Sequence, residues 1–593
     1  MIVPMKKIFM VTQKKDMVSA LEKLRDLGLV HVEHLASLGG ERLGELKDQA
    51  ALLSRVIAVL SSKEYHSKKV KQSSLTEWEL EAEKIIDWLA QIGQLKEGLI
   101  KQQVIISHWE PWGDFNPRDL VELNQKGVRV CLCELPTEDM HELPHEFMMR
   151  SVYRVGKNSR CLAVCSDPDT PWPFEQIPLP PEGIVRMRGQ QDQACYDIGE
   201  IKGKIADAVQ YLDAFKSTLK AIQDALRFEE VSAGTRKAET LSVLKGFVPV
   251  ASVDQLEKKA AAEQWGLVVE DPDDRDQVPT LLKNPKWVEM IKPVFGMIEI
   301  MPGYAEVDIS AFFLVFFSVF FGILIGDAGY GLLFMLGTLI VHLKLKNKVK
   351  DHNPFILMYV LSLCAVAWGV LTGTFFGQQW LEHKLNPMVP WLTKQENVQL
   401  LCFFIGGIHL SIAHIWRMIL KFPSASFIGE IGWISMLWFM FFLSKTLVLG
   451  HPFPSASNVL GIGGAVLIVF FTKPNINPLK AIGPGMGEIA LNGINSFTDI
   501  VSYIRLFAVG LASVAVADAF NSMALEIGFG SFFIGLGSAL ILVVGHGFNI
   551  VLGAMSILVH GLRLNVLEFS GHLNIEWAGQ KFNPFQRLKN VSE

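Results

Sequence analysis

Hydrophobic and polar positions divide the chain into two halves at about residue 300. In the first half, apolar residues either recur every three or four positions or alternate with polar residues over short runs, which predicts amphipathic helices and half-buried strands. In the second half, apolar runs long enough to cross a bilayer dominate. The pattern therefore predicts a soluble region followed by a membrane region.

Two strand–helix–strand units open and close the soluble region. The predicted elements are a strand at 6–11, a helix at 16–27 ended by Gly28 and a strand at 30–35, followed much later by a strand at 241–248, a helix at 253–264 and a strand at 266–269. Such units can share one sheet. We predict that they form one proximal α/β lobe made of 1–40 and 235–300.

Helical segments with a coiled-coil repeat lie between these units. Apolar residues step by three and four along 41–106 and again along 189–234. We predict that the two stretches pair as a long antiparallel coiled coil, and dimerisation through the same seam is the alternative that the sequence leaves open.

A second lobe is predicted at 107–188, where three runs alternate as strands do. Its cysteines are Cys131, Cys133, Cys161 and Cys165. Their spacing fits no common zinc pattern, so we interpret them as small buried residues. The chain would turn through this distal α/β lobe between the outgoing and returning helices, which gives a rod with a globular lobe at each end.

Eight apolar segments of spanning length follow. They lie at 309–326, 328–344, 355–378, 398–419, 425–448, 457–473, 495–526 and 530–563. Basic residues cluster after the even-numbered segments, which by the positive-inside rule places both termini in the cytoplasm. The first residues have no apolar core of signal-peptide length. The overall prediction is a mostly α protein: a cytosolic arm, then an eight-helix transmembrane domain over 301–593 with two long tilted C-terminal helices, in the cell (inner) membrane.

Arg505 stands inside the seventh apolar segment. A charge near a bilayer centre costs at least about 2.5–3.5 kcal/mol, so such a residue faces a partner charge, a water path or another helix. Asn495, Thr498 and Ser502 share its helix face. This pattern predicts a wet groove that leads to one fixed positive charge.

The last segment repeats this arrangement. Its polar or small residues at helical spacing are His546, Asn549, Gly553, Ser556, His560 and Arg563. A snorkelling arginine at a helix end is an equally open interpretation of Arg563. Asp327, between the first two segments, is interpreted as the N-cap of the second helix.

Composition excludes several functions. The 593 residues carry a formal net charge of −5, which argues against a nucleic-acid binder. The sequence has no phosphate-binding loop and no dinucleotide-type glycine-rich turn. We therefore expect no cofactor, nucleotide or metal site and no catalytic site of its own; any energy input comes from another chain.

Four motifs together resemble the membrane stator subunit, called a or I, of V-type and archaeal-type rotary ATPases in its short bacterial or archaeal form. They are Ser502-Tyr503-Ile504-Arg505-Leu506-Phe507-Ala508, the stretch His560 to Phe569, the Gly326-Asp327 stretch and Gly246-Phe247-Val248-Pro249. The resemblance spans the whole chain. It implies that the membrane half lies against a ring of c (proteolipid) subunits and that the lobes dock on peripheral-stalk and central-stalk adaptor subunits.

The resemblance also implies residue roles. Arg505 would be the stator arginine that controls ionisation of the ring carboxylate between two offset half-channels, and Arg563 would be the second family arginine. The implied ion-pathway residues are Asn495, Thr498, Ser502, Asn549, Ser556, His560 and Glu568, and further candidates are Asp327, Glu488, Asp499 and His546. Some members have a glutamate at the position of Gly553 and a histidine at that of Ser513, so the choice between proton and sodium stays open, as does the direction, hydrolysis or synthesis.

Two other functions remain as alternatives. A secondary transporter would use Arg505 to bind an anionic solute, but the membrane half shows no duplicated halves of the kind many transporters have. A coiled-coil membrane scaffold would need no polar stripes across the membrane.

Overall fold

The structure is a computed structural model that describes residues 1–35, 37, 39–65, 77–138, 140, 146–165, 167, 170–237, 239–377, 387–472 and 478–588. The chain forms two compact units. The first comprises Met1–Met10, Leu29–Val32 and Lys245–Phe585, and the second comprises Val11–Gly28, Glu33–Leu244 and Gln586–Glu593. The finer division into lobes, rod and transmembrane domain stays a prediction.

Long helices dominate the second unit. Glu41–Leu60 packs against Leu212–Gly234, and Trp78–Trp109 packs against Ile184–Ala208. The pairs run antiparallel, as shown by polar contacts between Arg42 and Glu229 (3.6 Å), Glu64 and Lys202 (2.7 Å), and Gln102 and Gln190 (2.6 Å). The antiparallel pairing that the sequence predicts is therefore present, whereas the coiled-coil geometry stays a prediction.

The seams of these helices are buried where the repeat predicts. The buried residues include Leu46, Leu53, Ile85, Ile92, Ile198, Ile205, Phe215 and Ile222, which form one apolar cluster. A short helix, Pro117–Gln125, comes after the long helix Trp78–Trp109 in the sequence. Its N-terminus is capped by the side chain of Asn116. It leads into the distal sheet.

The distal sheet has four strands in the order Phe147–Val155, Asn158–Cys165, Arg129–Pro136 and Gln176–Ile177. Its central pair is antiparallel and places Cys133 opposite Cys161. All four cysteines of this region are buried thiols, as the sequence predicts, and burial raises the pKa of Cys133 to about 12. At neutral pH that thiol is therefore protonated and inert.

The two strand–helix–strand units of the sequence are present with small shifts at their ends. Their elements are Met5–Gln13, Met17–Leu27, His31–Glu33, Leu241–Pro249, Val253–Ala262 and Gly266–Glu270. Their strands form one sheet in the order His31–Glu33, Leu241–Pro249, Met5–Gln13 and Gly266–Glu270. Strands from the two strand–helix–strand units therefore alternate in one sheet, while the bounds of the proximal lobe stay a prediction.

Apolar helices fill the rest of the first unit. Two short helices come first, Lys286–Glu289 and Lys292–Ile298. Six helical stretches are long and apolar enough to cross a membrane: Ala328–Leu345, Asn353–Thr372, Gln395–Lys421, Phe427–Leu449, Ile482–Ile527 and Phe532–His572. Two more apolar helices, Ser310–Ile325 and Ser457–Phe471, are shorter. Every predicted segment thus corresponds to an apolar helix. Eight spans and cytoplasmic termini stay predictions. The predicted segment ends at 378 and 473 lie outside the described residues.

The last two predicted segments differ from the structure in length. The stretch around Arg505 is helical over Ile482–Ile527 and is interrupted only at Tyr503. There the backbone hydrogen bonds join residues three apart: Tyr503 N donates to Ile500 O, and Leu506 N donates to Tyr503 O. The final stretch does not end at 563 as predicted. It continues to His572 and becomes a π-helix at Ile557–Gly561 and Leu564–Phe569.

Candidate functional site

Arg505 forms an ion pair with a buried glutamate. Its Nη2 lies 2.5 Å from Glu568 Oε1, and its Nε donates to the Ser502 carbonyl at 2.9 Å. The Glu568 side chain is 4% exposed and the Arg505 side chain 21%. Arg563 Nε lies 3.4 Å from the same Glu568 oxygen. One buried carboxylate is therefore held between the two arginines that the sequence singled out.

The π-helix explains how Arg563 and Glu568 reach the same place. A π-helix hydrogen-bonds residues five apart, so residues at that spacing lie above one another. In an α-helix the same two positions would point about 140° apart. The π-helical turn Leu564–Phe569 thus turns Glu568 onto the face of Arg563. Sequence reasoning with α-helical spacing did not find this pairing.

Three buried polar atoms on the stretch 560–568 have no hydrogen-bond partner within the described part of the chain. They are Glu568 Oε2, Asn565 Oδ1 and His560 Nδ1. A buried carboxylate oxygen without a donor is unfavourable by about 1–3 kcal/mol. The region around Arg505 therefore retains polar groups able to interact with a further donor.

A polar cavity of about 590 Å³ lies on the N-terminal side of Arg505. Its polar lining comprises His414, Arg417, Lys421, Thr472, Glu488, Asn492, Asn495, Ser496, Asp499, His572 and Asn574. Of the predicted residues, Asn495, Glu488 and Asp499 line it, whereas Thr498 is exposed and Ser502 half-buried outside it. The spacing of Glu488, Asn492, Asn495 and Asp499 is a helical stripe, which the sequence already contained.

A hydrogen-bonded chain of four titratable groups crosses the wall of this cavity. Asp499 Oδ2 lies 3.1 Å from His572 Nε2, His572 Nδ1 lies 2.9 Å from His414 Nε2, and His414 Nδ1 lies 2.6 Å from Glu430 Oε2. Glu430 is 1% exposed and its other oxygen pairs with Lys421 and Arg417. Sequence reasoning missed His414, Glu430 and His572; charged residues inside two predicted spans were the available signal.

A second polar cluster, the Tyr330 network, lies on the C-terminal side of Arg505. It consists of Tyr330, Ser513, Asn521, His546 and Asn549. The Tyr330 hydroxyl lies 2.7 Å from His546 Nδ1 and accepts from Asn549 Nδ2 at 3.0 Å. Asn549 also bonds Ser513, and His546 Nε2 lies 3.1 Å from Asn521 Oδ1. The predicted His546 and Asn549 are thus brought together, and Tyr330 and Asn521 are additions from the structure.

Asp327 borders this network as a helix cap. Its side chain accepts from the backbone N–H groups of Gly329 and Tyr330 at 2.7 and 3.2 Å, which confirms the predicted cap, and from Gly377 N at 3.0 Å. Ser556 and His560 are half-buried on the helix between the Tyr330 network and Glu568.

Distances along the arginine-bearing helix separate the two polar regions. At about 1.5 Å per residue, Asp499 lies about 9 Å before Arg505, while Ser513 and Asn521 lie about 12 and 24 Å after it. Arg505 therefore stands between a polar cavity and a polar network.

Glycine packing fixes this helix against the first apolar helix. A Cβ at Gly510 would lie 2.4 Å from the Ile323 carbonyl oxygen. The absence of a side chain therefore allows the backbones of Ile504–Ile527 and Ser310–Ile325 to touch, one and a half turns beyond Arg505.

No protein-family model matches the sequence. A solved structure described as the cytoplasmic N-terminal domain of subunit I, homolog of subunit a, of V-ATPase covers 44% of this chain and 99% of its own, with 12% identity and a TM-score of 0.23, which is too low to establish a shared fold.

Curated relatives match over nearly the full length. The chain is 32% identical to V-type ATP synthase subunit I 1 of Treponema pallidum (strain Nichols), over 99% of this chain and 100% of that one. It is 31% identical to V-type ATP synthase subunit I of Borreliella burgdorferi, over the same shares. A-type ATP synthase subunit I of Archaeoglobus fulgidus is 23% identical over 99% of both chains. With more than 30% identity over almost the whole of both sequences, this chain belongs to the subunit I family of V-type and A-type ATP synthases.

Proposed function

We propose that this stator subunit forms two offset half-channels against the c-ring and couples ion flow to ring rotation through Arg505. The polar cavity would be the half-channel on the cytoplasmic side, and the Tyr330 network would line the half-channel on the other side. The observation that carries the proposal is the position of Arg505 between two polar regions that lie on opposite sides of it along one helix.

The chemistry of Arg505 follows from electrostatics. A ring carboxylate must be neutral to pass through lipid, because a charge there costs several kcal/mol. A guanidinium within about 4–6 Å favours the ionised carboxylate. A carboxylic acid that reaches Arg505 therefore releases its ion into one half-channel, and it can leave toward lipid only after binding an ion from the other.

Glu568 has a distinct part in this cycle. It occupies Arg505 Nη2 in this structure, so a ring carboxylate must compete with Glu568 for the guanidinium. Breaking a buried ion pair is unfavourable by about 3–5 kcal/mol when one charge is left alone. Glu568 thus keeps Arg505 paired between successive ring carboxylates and prevents any one of them from staying bound.

The fixed positive charge also opposes leakage. Arg505 and Arg563 outnumber Glu568 by one charge, so a cation that moves directly between the two half-channels meets net repulsion. Ion flow is then possible only by way of the rotating ring.

The remaining parts of the proposal concern topology and partners. Eight spans with both termini in the cytoplasm would put the polar cavity on the side of the soluble half. The c-ring would lie against the membrane helices, and the peripheral stalks and the central-stalk adaptor would bind the lobes. The relatives' names, all subunits of ATP synthases, support partners of this kind.

The test is ATP-driven ion transport by the intact complex in sealed vesicles. Arg505→Ala should assemble and lose transport, and Arg505→Lys should lose most of it, because an ammonium lacks the planar fork that engages two carboxylates. Arg55→Ala, in the soluble helix Glu41–Leu60, is the control and should pump normally. Normal pumping by Arg505→Ala would refute the proposal and favour a scaffold, and solute uptake by the purified single chain would favour a secondary transporter.

A further inference from the structure

The number of protons held by the hydrogen-bonded groups Asp499, His572, His414 and Glu430 follows from their hydrogen bonds. These groups form three hydrogen-bonded links, and each link needs one proton. Ionised carboxylates only accept hydrogen bonds. All three protons then reside on the ring nitrogens of His414 and His572, although two neutral imidazoles carry only two. The pair therefore carries one extra proton.

The alternative is a protonated Asp499 that donates to His572. A carboxylic acid is a stronger acid than an imidazolium, and Asp499 lines a polar cavity, so the proton favours the histidine. Glu430 cannot donate either, because it is already paired with Lys421 and Arg417 and stays ionised beside them. The extra proton is thus shared across the link between Nδ1 of His572 and Nε2 of His414.

The surroundings make this proton exchangeable. His414 is 3% exposed and His572 9% exposed, yet both line the cavity. The titratable or charged groups facing the pair are Arg417, Lys421 and His409 on the helix of His414, Glu430 on the next helix, Asp499 and Glu488 across the cavity, and Glu568 four residues before His572. The two nearest carboxylates hold the proton, while the two nearest cations oppose it.

We propose that His414 and His572 together store one proton at the polar cavity and deliver it to the ring carboxylate, so that the ion transported is H⁺. This inference rests on the proposed stator function. In one cycle the extra proton passes from the pair to cavity water and from there to the ring carboxylate, which becomes neutral. One of the three links is left without a proton, and a proton from the adjoining solution restores it.

The experiment uses the intact complex in sealed vesicles with ATP supplied outside, where the bath sets the pH at the cavity. In wild type, pumping relative to ATP hydrolysis should fall as the bath pH is raised, because the pair then loses its proton. His414→Gln and His572→Gln should lower pumping about tenfold or more, in line with the loss of a positioned proton donor, and should remove this pH dependence. A merely structural role would lower the rate at every pH and keep the wild-type profile.

Asp499→Asn provides a second arm that keeps the geometry. An amide donates to His572, so the pair needs no extra proton, and the pH above which pumping falls should move to a lower value. His342→Gln is the matched control, since His342 pairs with His352 and Tyr359 on another helix and should leave the profile unchanged.

The outcomes separate the two proposals. The proton pair would be overturned if both histidine variants kept the wild-type pH profile. If the histidine variants fail to assemble, an unchanged pH profile in Asp499→Asn would overturn it. Sodium-dependent pumping that a protonophore does not abolish would overturn it as well, with the stator function intact. Pumping by Arg505→Ala would instead overturn the stator function itself.

Discussion

Arg505 and Glu568 lie 63 residues apart in sequence and meet in an ion pair with 2.5 Å between Nη2 and Oε1. The pair joins the two helical stretches that carry the polar stripes. It makes Glu568 the resident counterion of the arginine on which the proposed mechanism depends.

Glu568→Gln should slow the motor without uncoupling it. A neutral amide competes poorly for Arg505, so each ring carboxylate would bind the guanidinium longer. We expect ATP hydrolysis and ion transport to fall together, by about tenfold for each 1.4 kcal/mol of competition lost, with the ratio of ions transported to ATP hydrolysed unchanged.

The matched control for this change is Glu576→Gln, eight residues further along, where the side chain is exposed. It should retain the wild-type rate. Hydrolysis that continues at full speed without transport in Glu568→Gln would contradict the counterion role.

Glu430→Gln should destabilise the membrane half. Glu430 is 1% exposed and compensates Arg417 and Lys421 while bonding His414. Removal of a buried charge that compensates others is typically destabilising by about 3–5 kcal/mol. The expected readout is less assembled complex and a lower thermal midpoint of the purified chain in detergent. Glu526→Gln, at an exposed helix end, should change neither the amount of assembled complex nor the thermal midpoint. Equal effects of both substitutions would show that the contacts of Glu430 do not stabilise the membrane half.

Gly510→Val should prevent the Arg505 helix from seating. A Cβ there would approach the Ile323 carbonyl oxygen to 2.4 Å, and backbone atoms cannot move aside as a flexible side chain does. Assembly, measured as subunit I retained with the purified complex, should drop severely. Gly547→Val is the control, because a Cβ at Gly547 would meet no atom of the described residues within 4 Å. Full assembly of the Gly510 variant would mean that the two helices do not touch there.

Stability of the proximal sheet should depend on pH through Asp276. Burial alone would raise the pKa of Asp276, but hydrogen bonds from Lys245, the Asp273 backbone and Lys7 outweigh it and lower the pKa to about 2. The stabilisation is therefore complete above the ordinary pKa of 3.8 and is lost as the pH falls toward 2.

Asp276→Asn should accordingly lower the thermal midpoint of the chain at pH 6, and its difference from wild type should shrink at pH 2.5. The exposed Asp274→Asn should match wild type at both values. A difference that stays constant with pH would show that the ion cluster contributes nothing through charge.

Local patterns explain which features the sequence could predict. Gly28 ends its helix in the left-handed conformation, with φ of 63°, because glycine has no Cβ to oppose it. Asp327 caps its helix for an equally local reason, since its carboxylate reaches backbone N–H groups two and three residues on. The heptad seams were likewise visible as spacing alone.

Features that depend on distant packing were not predictable in this way. His414 and His572 are 158 residues apart, and nothing in either local sequence indicates the other. Glu568 reaches Arg563 only because the helix widens into a π-turn, which α-helical spacing does not anticipate. The predicted segment ended at 563, whereas the helical stretch continues to His572.

The 46-residue stretch that bears Arg505 also has a geometric consequence. At 1.5 Å per residue it measures about 69 Å, more than twice the roughly 30 Å of a hydrocarbon core. Such a helix either extends beyond the bilayer or leans far from its normal. Asp499 and Asn521 are about 33 Å apart along it, so a lean of about 45° would separate them sideways by about 23 Å. A sloping helix thus converts length into lateral displacement. In the proposed mechanism, this displacement would set the angle through which the ring turns between the two half-channels.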